Sequence, residues 1–160
     1  MEPKIVRKPS FHVVGMAGSF TPSTNSGIPA LWARFAPRMD TVPNRIDVHS
    51  FGVCVPANTV AAGDTSFTYI AAVEVGRSDA LPDGMIALTV AASRYAVFTH
   101  AGPITRIADT VKQVWGAWLP ASRHRRLPSP DFEYYDDRFD PATGEGEVDI
   151  YVPIADEVQG

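Results

Sequence analysis

The sequence predicts one α+β domain made of two tandem strand-helix-strand-strand modules, with antiparallel sheet and the helices on one face. Three observations support this. Short alternating apolar segments indicate strands, two longer stretches have the spacing of an amphipathic helix, and the same order of elements occurs twice. The 160 residues fit a single domain, with a first module at about residues 4–80 and a second at about 84–156.

In the first module, the apolar, β-branched residues 5–14 are interrupted by Pro9, which predicts two short strands or a bent edge strand. Gly15, Gly18, Pro22 and Ser23 then predict a loop. The helical stripe that follows consists of Ile28, Leu31, Trp32 and Phe35, with Pro29 in its first turn and Pro37 at its end. Residues 48–56 and 67–75 are then predicted strands.

The second module has predicted strands at residues 86–90 and 95–100, a helix, and further strands at residues 132–135 and 148–154. Thr105 is the predicted N-cap of the helix, and Pro120 closes it. Its apolar stripe is formed by Ile107, Val111, Val114, Trp115, Trp118 and Leu119. The pseudo-twofold arrangement of the two modules rests on this repeated pattern, because the sequence identity between them is weak.

Composition and charge narrow the classes of function. The chain is 45% hydrophobic and 20% charged, with no apolar run long enough to span a bilayer and no signal peptide in residues 1–10. We therefore expect a cytoplasmic protein without membrane contact. The formal net charge of −4 argues against direct nucleic-acid binding, which requires a basic face.

Motifs for metal or nucleotide chemistry are missing from the sequence. The single cysteine, Cys54, and the four histidines have no metal-ligand spacing, and no glycine-rich phosphate loop precedes a helix. We expect no cofactor and no metal. Cys54 lies between two valines and is interpreted as a small strand residue.

One carboxylate stands out in the strand at residues 131–135. Alternation places Glu133 and Tyr135 on one face and Phe132 and Tyr134 on the other. In the last strand, Tyr151 lies on the face opposite the aliphatic residues. If the helices cover the aliphatic face, Glu133, Tyr135 and Tyr151 look away from it together, as a carboxylate flanked by phenol rings.

A sheltered carboxylate favours a cationic or hydrogen-bond-donating ligand, because burying its charge without a partner costs free energy. Aromatic faces attract the same ligand. Further candidate wall residues are Trp32, Phe51, Tyr69, Tyr95, Trp115 and Trp118. The alternatives are that Glu133 is an exposed strand residue paired with an arginine, and that the tryptophans only fill the core.

Several ordered motifs resemble the gyrase-inhibitor-like (GyrI-like) effector-binding family, whose domains also occur in AraC-type and MerR-type transcription activators. The motifs are VEV at 73–75, LPDGM at 81–85, YAVFTHAG at 95–102, WLPAS at 118–122, DFEYY at 131–135 and VDIYVPI at 148–154. The resemblance implies a ligand cleft between the modules with Glu133 at its base and Tyr135 and Tyr151 beside it. Ala71 and Ala72 depart from the glycine that relatives often have there, and no helix-turn-helix pattern is present.

Three functions are compatible with these features. The first is a stand-alone binder of aromatic, apolar or cationic small molecules with a regulatory or sequestering role, acting on DNA only through another protein. The second, implied by the resemblance, is a hydrolase of cyclopropane-bearing electrophiles that uses Glu133 with Tyr135 or Tyr151. The third is a gyrase-inhibitor-type protein partner whose acidic surface is formed by Asp131, Glu133, Asp136, Asp137 and Asp140.

Overall fold

A computed structural model describes residues 2–21, 23–56 and 66–156. It confirms the α+β class, with helices packed on one large antiparallel sheet. The strands of the described residues are β1 (Lys4–Lys8), β2 (Phe11–Phe20), β3 (Ser50–Pro56), β4 (Phe67–Val75), β5 (Ile86–Val90), β6 (Ser93–Pro103), β7 (Asp131–Tyr135), β8 (Phe139–Asp140) and β9 (Glu145–Ile154).

The first strands follow the sequence pattern except at the predicted loop. The chain breaks between β1 and β2 next to Pro9, as expected, but β2 continues through Gly15 and Gly18. The prediction of a loop was wrong for the two glycines, although a turn does include Ser23; Pro22 lies outside the described residues. Gly15 allows close strand contact, because a Cβ atom at this position would lie 1.9 Å from the Ala71 carbonyl oxygen. An interior strand glycine can mark such close backbone approach as well as a turn.

The first helix, α1, spans Ile28–Phe35 and buries Leu31 and Phe35, as the apolar spacing predicts. Pro29 lies in its first turn, where a missing N–H costs nothing. The α-helix ends before Pro37, but the chain continues as a 3₁₀-helix over Ala36–Thr41.

The second helical segment is less regular than its stripe suggests. A 3₁₀ turn (Ile104–Arg106) leads into α2 (Ile107–Gln113), a π-helical turn (Val114–Trp118) and the short α3 (Leu119–Ala121). The prediction that Thr105 is the N-cap was wrong, because Thr105 lies inside the 3₁₀ turn and Arg106 takes the cap position without a side-chain hydrogen bond. The wide π turn changes the direction of Trp115 and Trp118 relative to a regular helix.

The sheet order is β1-β6-β9-β7-β3-β4-β2-β5, with β8 paired to β9. Elements before residue 80 pair with elements after it at three places, β1–β6, β2–β5 and β3–β7, and in the last of these Gly52 lies opposite Glu133. This order is compatible with two modules, although their boundary stays a prediction.

Strong curvature gives the sheet an inner and an outer face. The rings of Phe11 in β2 and Phe132 in β7 are 5.3 Å apart, although β3 and β4 separate their strands. Since neighbouring strands are about 4.8 Å apart, a flat sheet would hold these rings farther from each other. The inner face encloses a buried aromatic cluster that includes Phe51, Tyr95 and Phe132.

Both helices pack on the outer face. Helix α1 contacts β2 and β4, and α2 contacts β6. Strands β3 and β7 therefore lie between the helices, and we call the outer surface over these two strands the cleft. Gly52 of β3 lies opposite Ala71 of β4, which is buried under α1. Among the described residues, no helix has the length and apolarity needed to cross a bilayer.

Candidate functional site

Glu133 lies at the middle of β7, on the outer face and between the two helices. Its Oε1 atom accepts hydrogen bonds from the hydroxyl of Tyr69 at 2.7 Å and from that of Tyr135 at 2.9 Å. The indole Nε1 of Trp32 in α1 donates to the Tyr69 hydroxyl at 3.0 Å. A chain of hydrogen bonds thus connects the helix to the carboxylate across three strands.

Gly52 allows this arrangement because it has no side chain. It lies between Tyr69 on β4 and Glu133 on β7, and a Cβ atom there would be 1.9 Å from the Tyr69 hydroxyl oxygen and 2.6 Å from Glu133 Oε1. Both side chains consequently rest directly on the β3 backbone. The sequence signal was a glycine in a strand interior, which marks close approach, but it did not indicate which groups approach.

The two carboxylate oxygens of Glu133 differ in their partners. Within the described residues, both side-chain hydrogen bonds go to Oε1, and Oε2 receives none. The Glu133 side chain is half-buried. Aromatic rings surround it: Trp32 lies edge-to-face with Tyr135 at 5.4 Å and with Tyr69 at 6.5 Å.

Burial determines the protonation of this group. Loss of water raises the pKa of Glu133, while the hydrogen bonds from Tyr69 and Tyr135 act in the opposite direction. Burial and the neighbouring carboxylate also raise the pKa of both phenols well above the ordinary value. The phenols therefore stay protonated and donate to a carboxylate whose charge is only partly compensated.

A second carboxylate, Asp131, faces the same side two residues earlier on β7. The Arg126 guanidinium donates to its Oδ1 at 3.1 Å and lies 4.6 Å from the centre of the Trp115 ring. Burial raises the pKa of Asp131, and Arg126 opposes that shift. Burial, followed by the two carboxylates, raises the pKa of the neighbouring Cys54 thiol, which keeps this thiol protonated and unreactive.

Three of the predicted wall residues lie on the other side of the sheet. Tyr151 pairs with Phe132, not with Glu133, and it packs with Tyr95 and Phe51 around the inner aromatic cluster. The prediction that Tyr151 faces away from the helices together with Glu133 was wrong. Glu133 is opposite Ile150, so the acid shares the aliphatic, helix-covered face of β9. Tyr151 is therefore also excluded as a hydrogen-bond donor to Glu133.

The two tryptophans of the second helical segment differ in their surroundings. Trp118 is half-buried at the edge of the cluster beneath the helix, where it packs on Phe98 at 4.8 Å and stacks on His124. Trp115 is only half-buried and carries Arg126 on its face. Of the nine predicted site residues, the structure brings Trp32, Tyr69, Glu133 and Tyr135 together directly and places Trp115 at the opposite helix.

The acidic residues proposed as a protein-binding surface do not act as one group. Asp131 and Glu133 face the cleft, and Arg138 compensates Asp136 and lowers its pKa through a hydrogen bond. Asp137 and Asp140 are exposed. In the described part of the chain, no group of three potential metal ligands is present.

Comparison with known proteins gives the family. Residues 1–155 match the model of the GyrI-like small molecule binding domain. The chain is 35% identical over 156 residues to the transcriptional regulator BrlR of Pseudomonas aeruginosa, covering 96% of the chain and 56% of BrlR. It is 32% identical over 82 residues to the probable transcriptional regulator YgiV of Escherichia coli, covering 49% of the chain and 51% of YgiV. The chain thus matches only about half the length of these relatives.

Solved structures have the same fold. SAV2435 bound to tetraphenylphosphonium has a TM-score of 0.78 at 20% identity, with 97% of this chain and 94% of that chain covered. The EcmrR C-terminal domain has a TM-score of 0.67 at 12% identity, with 98% of each chain covered. With a family match over nearly its whole length and a regulator relative above 30% identity, the chain belongs to the GyrI-like small-molecule-binding domain family.

Proposed function

We propose that the cleft between α1 and α2 binds a lipophilic organic cation, with Glu133 as its charge partner and Trp32 and Tyr135 as its aromatic wall. The observation that carries this proposal is the half-bonded carboxylate: Oε1 accepts from two phenols, while Oε2 has no donor among the described residues. A cation supplies the missing charge compensation.

The energetics favour a cation over a neutral or anionic ligand. A partly desolvated carboxylate is destabilised by burial, and an adjacent positive charge offsets that cost. A cation over an aromatic face gains a further 0.5 to 2 kcal/mol, roughly, depending on how much water is excluded. The two phenol hydrogen bonds hold the carboxylate in one orientation, so little ordering is required when the ligand arrives.

A regulatory role follows from the same site. The relatives BrlR and YgiV are a transcriptional regulator and a probable one, and the match covers 56% of BrlR and 51% of YgiV. We propose that the chain acts as an effector-binding module that passes ligand occupancy to another domain or protein, or sequesters the ligand. Trp32 is the candidate link, because it belongs to α1 while its indole is hydrogen-bonded to the floor of the site.

Two ligands of equal shape and opposite charge test the proposal. Tetraphenylphosphonium is the cation bound by SAV2435, and tetraphenylborate has the same four rings around a negative centre. We expect the cation to bind at least about tenfold more tightly than the anion, a difference of about 1.4 kcal/mol, as measured by isothermal titration calorimetry. Equal affinity for the two would mean that shape and hydrophobicity, without Glu133, determine binding.

Binding of the cation should strengthen as the pH rises. Burial raises the Glu133 pKa above its ordinary value of 4.5, and a bound cation favours the ionised form. The affinity for the cation therefore rises as the pH increases from about the ordinary pKa of a glutamate to a value above the raised pKa of Glu133. The unliganded fold shows the opposite trend, because a raised carboxyl pKa gives stability that is largest below the unfolded pKa and falls as the pH increases.

Titration of tetraphenylphosphonium at several pH values measures this dependence, with proton release detected in buffers of different ionisation enthalpy. Asp131 faces the same cleft and its pKa is also raised, but Arg126 compensates it. The Glu133→Gln variant serves as the reference, and its affinity should be nearly independent of pH. A pH dependence of equal size in that variant would assign the proton to another group.

A further inference from the structure

The helix-facing side of β7 carries two carboxylates with different partners. Glu133 receives only phenol hydrogen bonds, whereas Asp131 is already paired with the guanidinium of Arg126. Residues two positions apart on a strand face the same side, with Cα atoms about 7 Å apart. The cleft thus contains two carboxylates on neighbouring positions of one strand face.

Arg126 imitates a bound ligand at the second position. Its guanidinium rests on the Trp115 ring at 4.6 Å and its NH2 nitrogen lies 3.1 Å from Asp131 Oδ1, the same pairing of aromatic face and carboxylate that the Glu133 end offers to a cation. The Nε atom of Arg126 is buried without a hydrogen-bond partner. Asp131 is 18% exposed and Arg126 is 27% exposed.

We propose that the cleft contains two cation positions and that Arg126 fills one of them, which makes Arg126 a specificity-determining residue. This inference rests on the proposed function of Glu133 and deepens it. With Arg126 in place, the cleft accepts one positive charge, and a ligand with a second charge about 7 Å away would place it against the guanidinium. The chain consequently selects singly charged over doubly charged lipophilic cations.

A pair of ligands that differ by one charge measures this selection. Methyl viologen is a flat dication whose two ring nitrogens are separated by nearly the distance between the two positions. The para isomer of N-methyl-phenylpyridinium has almost the same shape and only one charge. The readout is the ratio of the two affinities, dication to monocation, because changes in folding or general hydrophobicity affect both ligands alike.

Four proteins define the expected order of that ratio. Arg126→Met removes the charge but keeps an apolar stem over Trp115, and it should raise the ratio at least about tenfold. Arg126→Lys retains the charge and should keep the wild-type ratio within about threefold. The double variant Arg126→Met with Asp131→Asn removes both charges and should lie between wild type and Arg126→Met, since the second charge is then neither repelled nor attracted.

The double variant also allows the proposal to be tested if Arg126→Met does not fold. If Arg126→Met leaves Asp131 too poorly compensated for the chain to fold, the comparison of the double variant with wild type still decides, and an unchanged ratio there overturns the proposal. The same holds for an unchanged ratio in folded Arg126→Met. Binding of tetraphenylphosphonium with an unaltered ratio would refute the role of Arg126 alone, whereas no binding of either monocation would refute the proposed function together with this inference.

Discussion

Replacing Glu133 by Gln should weaken binding of tetraphenylphosphonium about 10- to 100-fold, equal to about 1.4 to 2.8 kcal/mol. The amide keeps nearly the shape of the carboxyl group and can still accept from Tyr69 and Tyr135, so the hydrogen-bonded arrangement around Oε1 persists. The charge that compensates the ligand is lost. Isothermal titration calorimetry of wild type and variant measures the effect.

The fold should tolerate this change. Burial raises the pKa of Glu133, which means that the ionised carboxylate destabilises the free protein at neutral pH. The variant should therefore unfold at an equal or higher denaturant concentration than wild type. Glu145→Gln, an exposed change on β9 with the same loss of charge, is the matched control. A similar loss of affinity in that control would attribute binding to overall charge and contradict a local role of Glu133.

Replacing Gly52 by Ala should lower the free energy of unfolding by about 2 to 4 kcal/mol, from overpacking and from at least one broken hydrogen bond. The new methyl group would occupy space held by the Tyr69 hydroxyl and Glu133 Oε1, and neither can yield without moving a strand-anchored side chain. Urea denaturation measures the loss. Ligand affinity should fall as well, because the link from Trp32 through Tyr69 to Glu133 is interrupted.

Gly116→Ala provides the control for this effect, since a Cβ atom at that helical position meets nothing within 4 Å. That variant should be as stable as wild type or slightly more stable, because alanine favours helix over glycine. Adding Tyr69→Phe to Gly52→Ala removes the nearest clashing oxygen and should restore part of the lost stability. If Gly52→Ala were as stable as Gly116→Ala, the close contact between β3 and the two side chains would not exist in solution.

The sequence predicted the elements better than their contacts. Helix α1 followed from the spacing of its four apolar residues, and Glu133 and Tyr135 were placed on one side of β7 by simple alternation. Alternation within one strand does not show which residues of a neighbouring strand lie on the same face of the sheet. Glu133 was therefore grouped with Tyr151, whereas the register between β7 and β9 pairs Tyr151 with Phe132 and places Glu133 opposite Ile150, on the helix-covered face.

Other features were hidden because they depend on distant parts of the chain. Arg126 could not be identified as a site residue, because its contacts with Trp115 and Asp131 arise from folding of the segment after α3. The π turn at Val114–Trp118 leaves no mark on the apolar stripe, since the same residues fit a regular helix. Gly15 indicated a loop, but in the structure it allows β2 and β4 to approach each other closely.

The curved sheet places the residues for ligand recognition and those for core packing on opposite faces. Along β3 and β7, residues such as Val53 and Phe132 point into the enclosed aromatic interior, while their immediate neighbours Cys54 and Glu133 point into the cleft. Substitutions on the recognition side can therefore change which molecules are accepted while the packing that secures the scaffold remains as it is. Such a division would let one backbone acquire new chemical preferences by exchanging every second residue of two strands.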